Sequence, residues 1–172
     1  REKETGSIAN FRSTPVTRSE FLLGKQLPYV VIAFISFASL VAIGYVVFDV
    51  PLKGSAPALM VGTLFYVLAT TAFGLLVSTF TRTQVAAPFA AAIIAIIPAV
   101  NFSGLVVPVS SLSGSGRLLG LAFPSSWYQQ VSVGTFTKGL GFAELWHNHL
   151  ALAGFALLFT VLSIAILDKQ EA

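Results

Sequence analysis

Two histidines near the C-terminus are the first candidates for chemistry in this sequence. His147 and His149 are separated by one residue, and Glu144 is the nearest carboxylate. A zinc site needs several ligands that converge on one point, whereas residues two apart on a helix point in different directions. The chain has no cysteine that could complete such a set. We therefore expect an interfacial polar role for these imidazoles and no metal site.

Glycine-rich stretches and serines are the other patterns that could bind or attack a substrate. Gly114, Gly116 and Gly120 are spaced one residue too widely for a dinucleotide loop, and no strand is predicted before them. No GxxxxGK[ST] run occurs in the chain, so any ATP hydrolysis must come from elsewhere. The serines lack an accompanying base and acid in a recognisable pattern. We expect no catalytic residue and no cofactor, and hence no enzyme activity in this chain.

The composition is typical of a membrane protein. Of the 172 residues, 55% are hydrophobic and only 10% are charged, and the mean hydropathy is +0.84. Soluble domains carry about 25% charged residues. The net charge of +3 comes from basic residues beside apolar segments, not from a basic stripe interleaved with exposed aromatics. Nucleic acid is therefore not expected as a partner.

Four segments without charge are long enough to cross a bilayer as helices, which takes about 20 residues. They are residues 26–48, 54–81, 83–116 and 145–167. Within them we predict spans at 28–48, 56–80, 85–100 and 145–167. Pro28 is expected in the first turn of the first span, where proline sacrifices little hydrogen bonding. The second span is rich in small residues and is predicted to pack closely against another span.

Residues 1–27 precede the first span and mix five basic side chains with apolar ones. This pattern favours a helix lying in the cytoplasmic membrane interface. Thr17 or Ser19 can cap that helix, with Glu20 in its first turn. We therefore divide the chain into an interfacial helix at 1–27 and a transmembrane domain at 28–172.

The segment between the third and fourth spans, residues 101–144, is largely apolar but interrupted by glycine, serine and proline. Irregular backbone at membrane depth is tolerated only against protein or water. We predict two short helices here, near 117–123 and 127–136, joined at Pro124 and folded back as a re-entrant hairpin. The predicted fold is all-α and integral to the membrane, with a cytoplasmic interfacial helix, four transmembrane helices and this hairpin between the last two.

The basic residues are unevenly divided between the two sides of a four-span arrangement. Seven precede the first span, follow the last, or occupy the turn between the second and third: Arg1, Lys3, Arg12, Arg18, Lys25, Arg82 and Lys169. The other side has Lys53, Arg117 and Lys138. By the positive-inside rule, both ends of the chain are expected in the cytoplasm, and the hairpin faces outward.

The sequence resembles the permeases of ABC type-2 transporters, because several motifs occur in the same order as in that family. The REKETGS run at 1–7 and the TPVTRSEFLLGK run at 14–25 are similar to the element that touches the ATPase in that family. Downstream, FSG at 102–104, Pro108, PSSWY at 124–128 and GTFTKG at 134–139 match the family's outer re-entrant segment in order and spacing. Within the family, the amino-acid sequence is most similar to bacterial ribosome-associated ATPase and transporter proteins and to drug-exporter permeases.

The resemblance implies the permease part of an ATP-driven exporter in the bacterial inner membrane. The chain begins without methionine, and we expect it to be a piece of a longer protein. The implied partners are an ATP-binding subunit or domain, a second permease half in a homodimer or heterodimer, and membrane lipid. Contact with the ATPase is implied for Arg1, Glu2, Lys3, Glu4, Arg12, Arg18 and Glu20. The outer gate is expected at Asn101, Pro108, Pro124, Trp127, Tyr128, Gln129 and Gln130.

Two other interpretations stay open. Taken alone, the charged residues at the start of the chain favour a solvated face that anchors a helix to anionic lipid. They favour ATPase coupling only when their order and spacing relative to the downstream motifs are considered. A non-transporting membrane scaffold or a channel is the alternative function. No predicted span has a charge at mid-membrane, which disfavours a channel or an ion-coupled transporter.

Overall fold

The computed structural model describes residues 17–81, 85–106, 108, 111 and 113–170, without the side chains of residues 18 and 167–170. This part of the chain is helical and contains no strand. The helices are α1 (Arg18–Phe48), α2 (Ala56–Phe80), α3 (Ala86–Phe102), α4 (Ser115–Leu121), α5 (Pro124–Phe136) and α6 (Phe142–Gln170). The predicted all-α fold is confirmed for the described residues.

Three helices are long and apolar enough to cross a membrane. They are the segments Ser19–Phe48 in α1, Ala56–Phe80 in α2 and Phe142–Ile166 in α6. The third predicted span forms α3, an apolar helix of 17 residues with Pro98 inside it. At 1.5 Å per residue α3 is about 25 Å long, less than the roughly 30 Å of a hydrocarbon core. Three of the four predicted spans thus have spanning length.

Helix α1 starts at a complete capping box and continues past the predicted domain boundary. Thr17 is the N-cap: its hydroxyl accepts the Glu20 N–H at 3.4 Å, and Glu20 Oε2 accepts the Thr17 N–H at 2.8 Å. The prediction that Pro28 lies in a first turn is wrong, because Pro28 is inside this 31-residue helix. Proline removes one intrahelical hydrogen bond. The capped start and the contacts of nearby Gln26 with α2 offset that loss.

Hydrogen bonds between helices fix their directions. Gln26 Nε2 donates to Leu68 O at 3.0 Å and to Thr71 Oγ1 at 2.9 Å, so the start of α1 lies beside the second half of α2. Helices α2 and α6 run parallel, since His149 Nε2 lies 2.8 Å from Ala58 O and, 14 residues further along both helices, Ser163 donates to Ala72 O at 3.4 Å. One end of the bundle, the Thr17 end, therefore holds the start of α1 and the last turns of α2 and α6.

The opposite end, the Gly54 end, joins the α1–α2 turn to the α5–α6 turn. The Gly54 N–H donates to Thr135 O at 2.8 Å, and the Ser55 N–H donates to Leu140 O at 3.1 Å. A Cβ on Gly54 would overlap Leu140 O and lie 3.0 Å from Gly139 C. Only glycine permits this approach of two backbones. This junction fixes the depth at which α5 ends.

The buried core lies where α2, α5 and α6 meet. It consists of Leu59, Val131, Leu145 and Leu152. Gly62 of α2 lies against this cluster, and a Cβ there would be 2.8 Å from Val131 Cγ1. Close approach of helices at a small residue is the packing expected in lipid, where apolar burial alone gives no net attraction. The core holds α5 in place and so positions the segment before it.

Candidate functional site

The segment between α3 and α6 contains two short helices, as the sequence predicts. Helix α4 covers Ser115–Leu121 and α5 covers Pro124–Phe136, against predicted ranges of 117–123 and 127–136. Pro124 is the first residue of α5, a position where the missing N–H costs nothing. The turn between the two helices is therefore set by the sequence itself.

The start of α5 is tied to the ends of α3 and α4. Ser126 is fully buried, and its Oγ lies 3.2 Å from Phe102 O and within hydrogen-bonding distance of Gly120 O. Trp127 Nε1 donates to Leu121 O at 3.0 Å. Carbonyls freed at the ends of two helices are satisfied by these side chains, as burial requires.

Tyr128 connects α5 to the middle of α2. Its ring stacks on Tyr66 with centroids 4.3 Å apart and planes 8° from parallel. Its hydroxyl lies 3.0 Å from Thr63 Oγ1. Thr63 and Tyr66 follow the α2 N-cap, Ser55, by 8 and 11 residues, which corresponds to about 12–16 Å along the helix axis. Helix α5 thus begins deep in the bundle and ends near the Gly54 end.

A cavity of about 670 Å³ opens beside this segment. Helices α3 to α6 and the loops between them form its walls. Its lining includes the predicted gate residues Pro108, Trp127, Gln129 and Gln130. The other described residues of the lining are Ser103, Gly104, Arg117, Leu121, Val133, Lys138, Leu140, Glu144, Leu145 and Asn148. The structure therefore brings four of the seven predicted gate residues together.

The other three predicted gate residues are not part of the cavity lining. Asn101 is exposed and donates to Ile97 O of its own helix at 2.8 Å. Pro124 is buried at the helix junction, and Tyr128 is directed to α2. Their contacts are structural, within the part of the chain that the structure describes.

The charges at the cavity are predominantly positive. Arg117 and Lys138 are exposed, and neither pairs with another residue of the described part of the chain. Glu144 is the acidic residue of the lining, and its Oε2 already accepts the Gly141 N–H at 2.8 Å. Among the described residues, the cavity therefore has two cationic side chains without a partner and one carboxylate that caps α6.

Sequence reasoning missed three polar side chains that link helices. Gln26, Asn148 and His149 are buried, with exposed fractions of 4%, 7% and 7%. The Nδ1 of His149 lies 2.7 Å from Leu145 O, in addition to the Ala58 contact of its Nε2. The predicted interfacial role suits the exposed His147, whereas His149 joins α6 to α2. No sequence signal pairs a side chain with a backbone carbonyl 91 residues away.

Of the residues expected to contact an ATPase, two lie at the Thr17 end and the others lie outside the described residues. Arg1, Glu2, Lys3, Glu4 and Arg12 are outside the described residues, and the side chain of Arg18 is not described. Glu20 is exposed, and its carboxylate accepts both the N–H and, at 2.6 Å, the hydroxyl of Thr17. Glu20 thus has a capping role whatever else it contacts.

Comparison with known proteins gives one family match and several relatives. Residues 1–165 match the family model described as ABC-2 family transporter protein. The chain is 29% identical over 159 residues to "Probable multidrug ABC transporter permease YbhS" of Escherichia coli K12, covering 92% of this chain and 42% of the relative. It is 30% identical over 148 residues to "Probable multidrug ABC transporter permease YbhR" of the same strain, covering 86% and 40%.

A third relative is "Inner membrane transport permease YhhJ" of Escherichia coli K12, 27% identical over 153 residues, or 88% of this chain and 41% of the relative. The chain spans about two fifths of the length of these curated relatives. No solved structure matches.

Proposed function

Since this chain belongs to the ABC-2 family of transporter proteins, we propose that it forms part of the export path of an ATP-driven exporter in the bacterial inner membrane. The observation that carries the proposal is the family match over residues 1–165. The cavity between α3 and α6 supports it, since an export path needs a polar space among apolar helices. The chain does no chemistry in this scheme; an ATP-binding subunit or domain supplies the energy.

The Thr17 end is the cytoplasmic end in this proposal, and residues 1–27 contact the ATPase. The surplus of basic residues assigned to that side supports the orientation. Helix α1 is continuous over 31 residues, about 46 Å, so a push on its start is transmitted to the Gly54 end. Arg18 and Glu20 stand at the point where that push is applied.

The segment 101–144 acts as the outer gate. Helix α5 is level with Tyr66 of α2 at Tyr128, one turn after its start, and ends near Gly54. This path supports a segment that enters from the outer side and returns to it. Trp127, Gln129 and Gln130 face the cavity along this path. A second permease half, in a homodimer or heterodimer, and lipid cover the many exposed apolar side chains of α1 and α3.

The names of two relatives include multidrug transport, so amphipathic drugs of either charge are the first export substrates to test. The complete transporter is expressed with its ATP-binding partner, and the accumulation of one anionic and one cationic fluorescent drug in intact cells is compared with ATP hydrolysis by the purified complex. We expect lower accumulation than in cells with an inactive ATPase. If the purified complex hydrolyses no ATP, the exporter assignment is wrong.

Charge variants of α1 test the coupling role. Glu20→Gln keeps a side chain that can complete the capping box and removes the charge, whereas Arg18→Glu with Glu20→Lys reverses both charges. We expect drug-stimulated ATP hydrolysis to fall several-fold in the double reversal, and the loss of the Glu20 cap to lower the free energy of unfolding by about 1 kcal/mol without unfolding the spans. Glu20→Gln, which keeps a capping side chain, separates the two effects. Unchanged stimulation in the double reversal would place the ATPase contact elsewhere.

A further inference from the structure

The cavity beside α4 and α5 has more positive charge than its own carboxylate balances. Arg117 and Lys138 line it, are exposed and pair with no other described residue. A guanidinium has five N–H donors and an ammonium three. Glu144 offers one carboxylate, already hydrogen-bonded to the Gly141 N–H. Within the described part of the chain, the donors of both cations thus have no partner and can bind a molecule in the cavity.

The walls of the cavity are held together without these two cations. Trp127 Nε1 donates to Leu121 O of α4 at 3.0 Å, and buried Asn148 of α6 donates to Trp127 O at 3.3 Å. Ser126 of α5 reaches Phe102 O of α3. All four surrounding helices are cross-linked by side chains other than the cations. The cavity is therefore preformed, which lowers the cost of binding.

The lining also includes apolar side chains that are better buried than the two cations. It includes Leu121, Val133, Leu140 and Leu145 together with the indole of Trp127, none of which is exposed. A volume of about 670 Å³ lies within the range of small-molecule sites, roughly 300–1,000 Å³. A complementary molecule has a negatively charged head and an apolar body.

We propose that this cavity binds an amphipathic anion, with Arg117 and Lys138 on its phosphate or carboxylate head and the apolar wall against its chain. The molecule comes either from the surrounding bilayer, as an anionic phospholipid, or from solution, as an amphipathic compound on its way out. As a transport site the cavity rests on the proposed function. As a lipid site it does not.

Binding is measured on the whole purified protein in phosphatidylcholine nanodiscs, without ATP. The probe is radiolabelled octyl phosphate, and octyltrimethylammonium is the cationic comparison. Arg117→Gln combined with Lys138→Gln removes both charges. The matched control is Lys53→Gln, since Lys53 is also exposed at the Gly54 end but is not part of the lining.

We expect the double variant to weaken octyl phosphate binding at least about tenfold, the effect of losing one charge-assisted hydrogen bond or more. Lys53→Gln should stay within about twofold of the unmodified protein. Arg117→Lys with Lys138→Arg keeps both charges and should bind measurably better than the double glutamine variant. Equal binding by the double variant, an equal loss in Lys53→Gln, or equal affinity for the cation overturns the proposal.

Phosphatidylglycerol added to the nanodiscs identifies the source of the anion. If it displaces octyl phosphate, bilayer lipid occupies the site; if it does not, the site takes amphiphiles from solution. Because no ATP is present, binding can be intact while export fails, and such a result would reject the proposed function and leave this site standing.

Discussion

The junction of the two turns at the Gly54 end gives a sharp structural test through Gly54→Ala. The new methyl group would overlap Leu140 O and lie 3.0 Å from both Gly139 C and Leu140 N. These are backbone atoms that no rotamer change can move. The α1–α2 turn must therefore separate from the α5–α6 turn, which strains the bonds from Gly54 N to Thr135 O and from Ser55 N to Leu140 O.

The magnitude follows from those contacts. Two backbone hydrogen bonds contribute about 1 kcal/mol each, and overpacking costs about 1–3 kcal/mol. Water replaces part of the lost hydrogen bonding once the turns separate. We therefore expect the free energy of unfolding to fall by about 2–4 kcal/mol. The quantity is measured by denaturant titration and thermal unfolding of the purified protein in detergent. Amide hydrogen exchange should accelerate at Gly54 and Ser55, whose N–H groups the junction protects.

Gly141→Ala is the matched control in the same pair of turns. A Cβ on Gly141 would lie 3.5 Å from Glu144 Oε2 and 3.8 Å from Ser55 Cβ, which is ordinary contact. We expect the free energy of unfolding to fall by at most about 1 kcal/mol, the cost of alanine in place of glycine at the N-cap of α6. If Gly54→Ala is as stable as the unmodified protein, or if both variants lose the same stability, the turns are not packed against each other as described.

Three further outcomes are expected. His149→Leu should lower the free energy of unfolding by about 1–3 kcal/mol because it removes the contact of the imidazole with Ala58 O of α2. His147→Leu, at an exposed position, should change it little, and equal losses in thermal unfolding would contradict the role of His149. Tyr128→Phe keeps the stack and should cost about 1 kcal/mol, whereas Tyr128→Ala should cost about 3 kcal/mol or more; chemical denaturation that ranks them the other way would reject the stack. Single cysteines at Gly116 and Lys138 should both react with an impermeant thiol reagent in intact cells, and labelling of only one before lysis would mean that the segment between them crosses the membrane.

The lengths of the apolar segments and the positions of proline and capping residues predicted much of the fold. The bounds of α2 agree with the predicted span at 56–80, because Ser55 caps its start and a polar run follows Phe80. The predicted turn at Pro124 is also present. Such features depend only on neighbours in the chain, and so the sequence is enough to locate them.

Pro28 shows where local reasoning fails. A proline after a polar segment favours a helix start, yet α1 runs through it. The contacts of Gln26 with Leu68 and Thr71 hold that part of α1 against α2. A partner more than 40 residues away decides the outcome, and nothing near Pro28 in the sequence signals it.

The sequence by itself determined the class of the protein, its apolar helices and the presence of two short helices before the last span. The reason is that hydrophobic length, proline and capping residues act over a few residues. Only the tertiary structure decided which polar side chains line the cavity and which join helices. Trp127 and Gln129 line the cavity, whereas Tyr128, which lies between them in sequence, stacks on Tyr66. The difference arises because Tyr128 lies on the side of α5 that packs against α2. That division arises from packing between distant segments, which a single sequence does not encode in any local pattern.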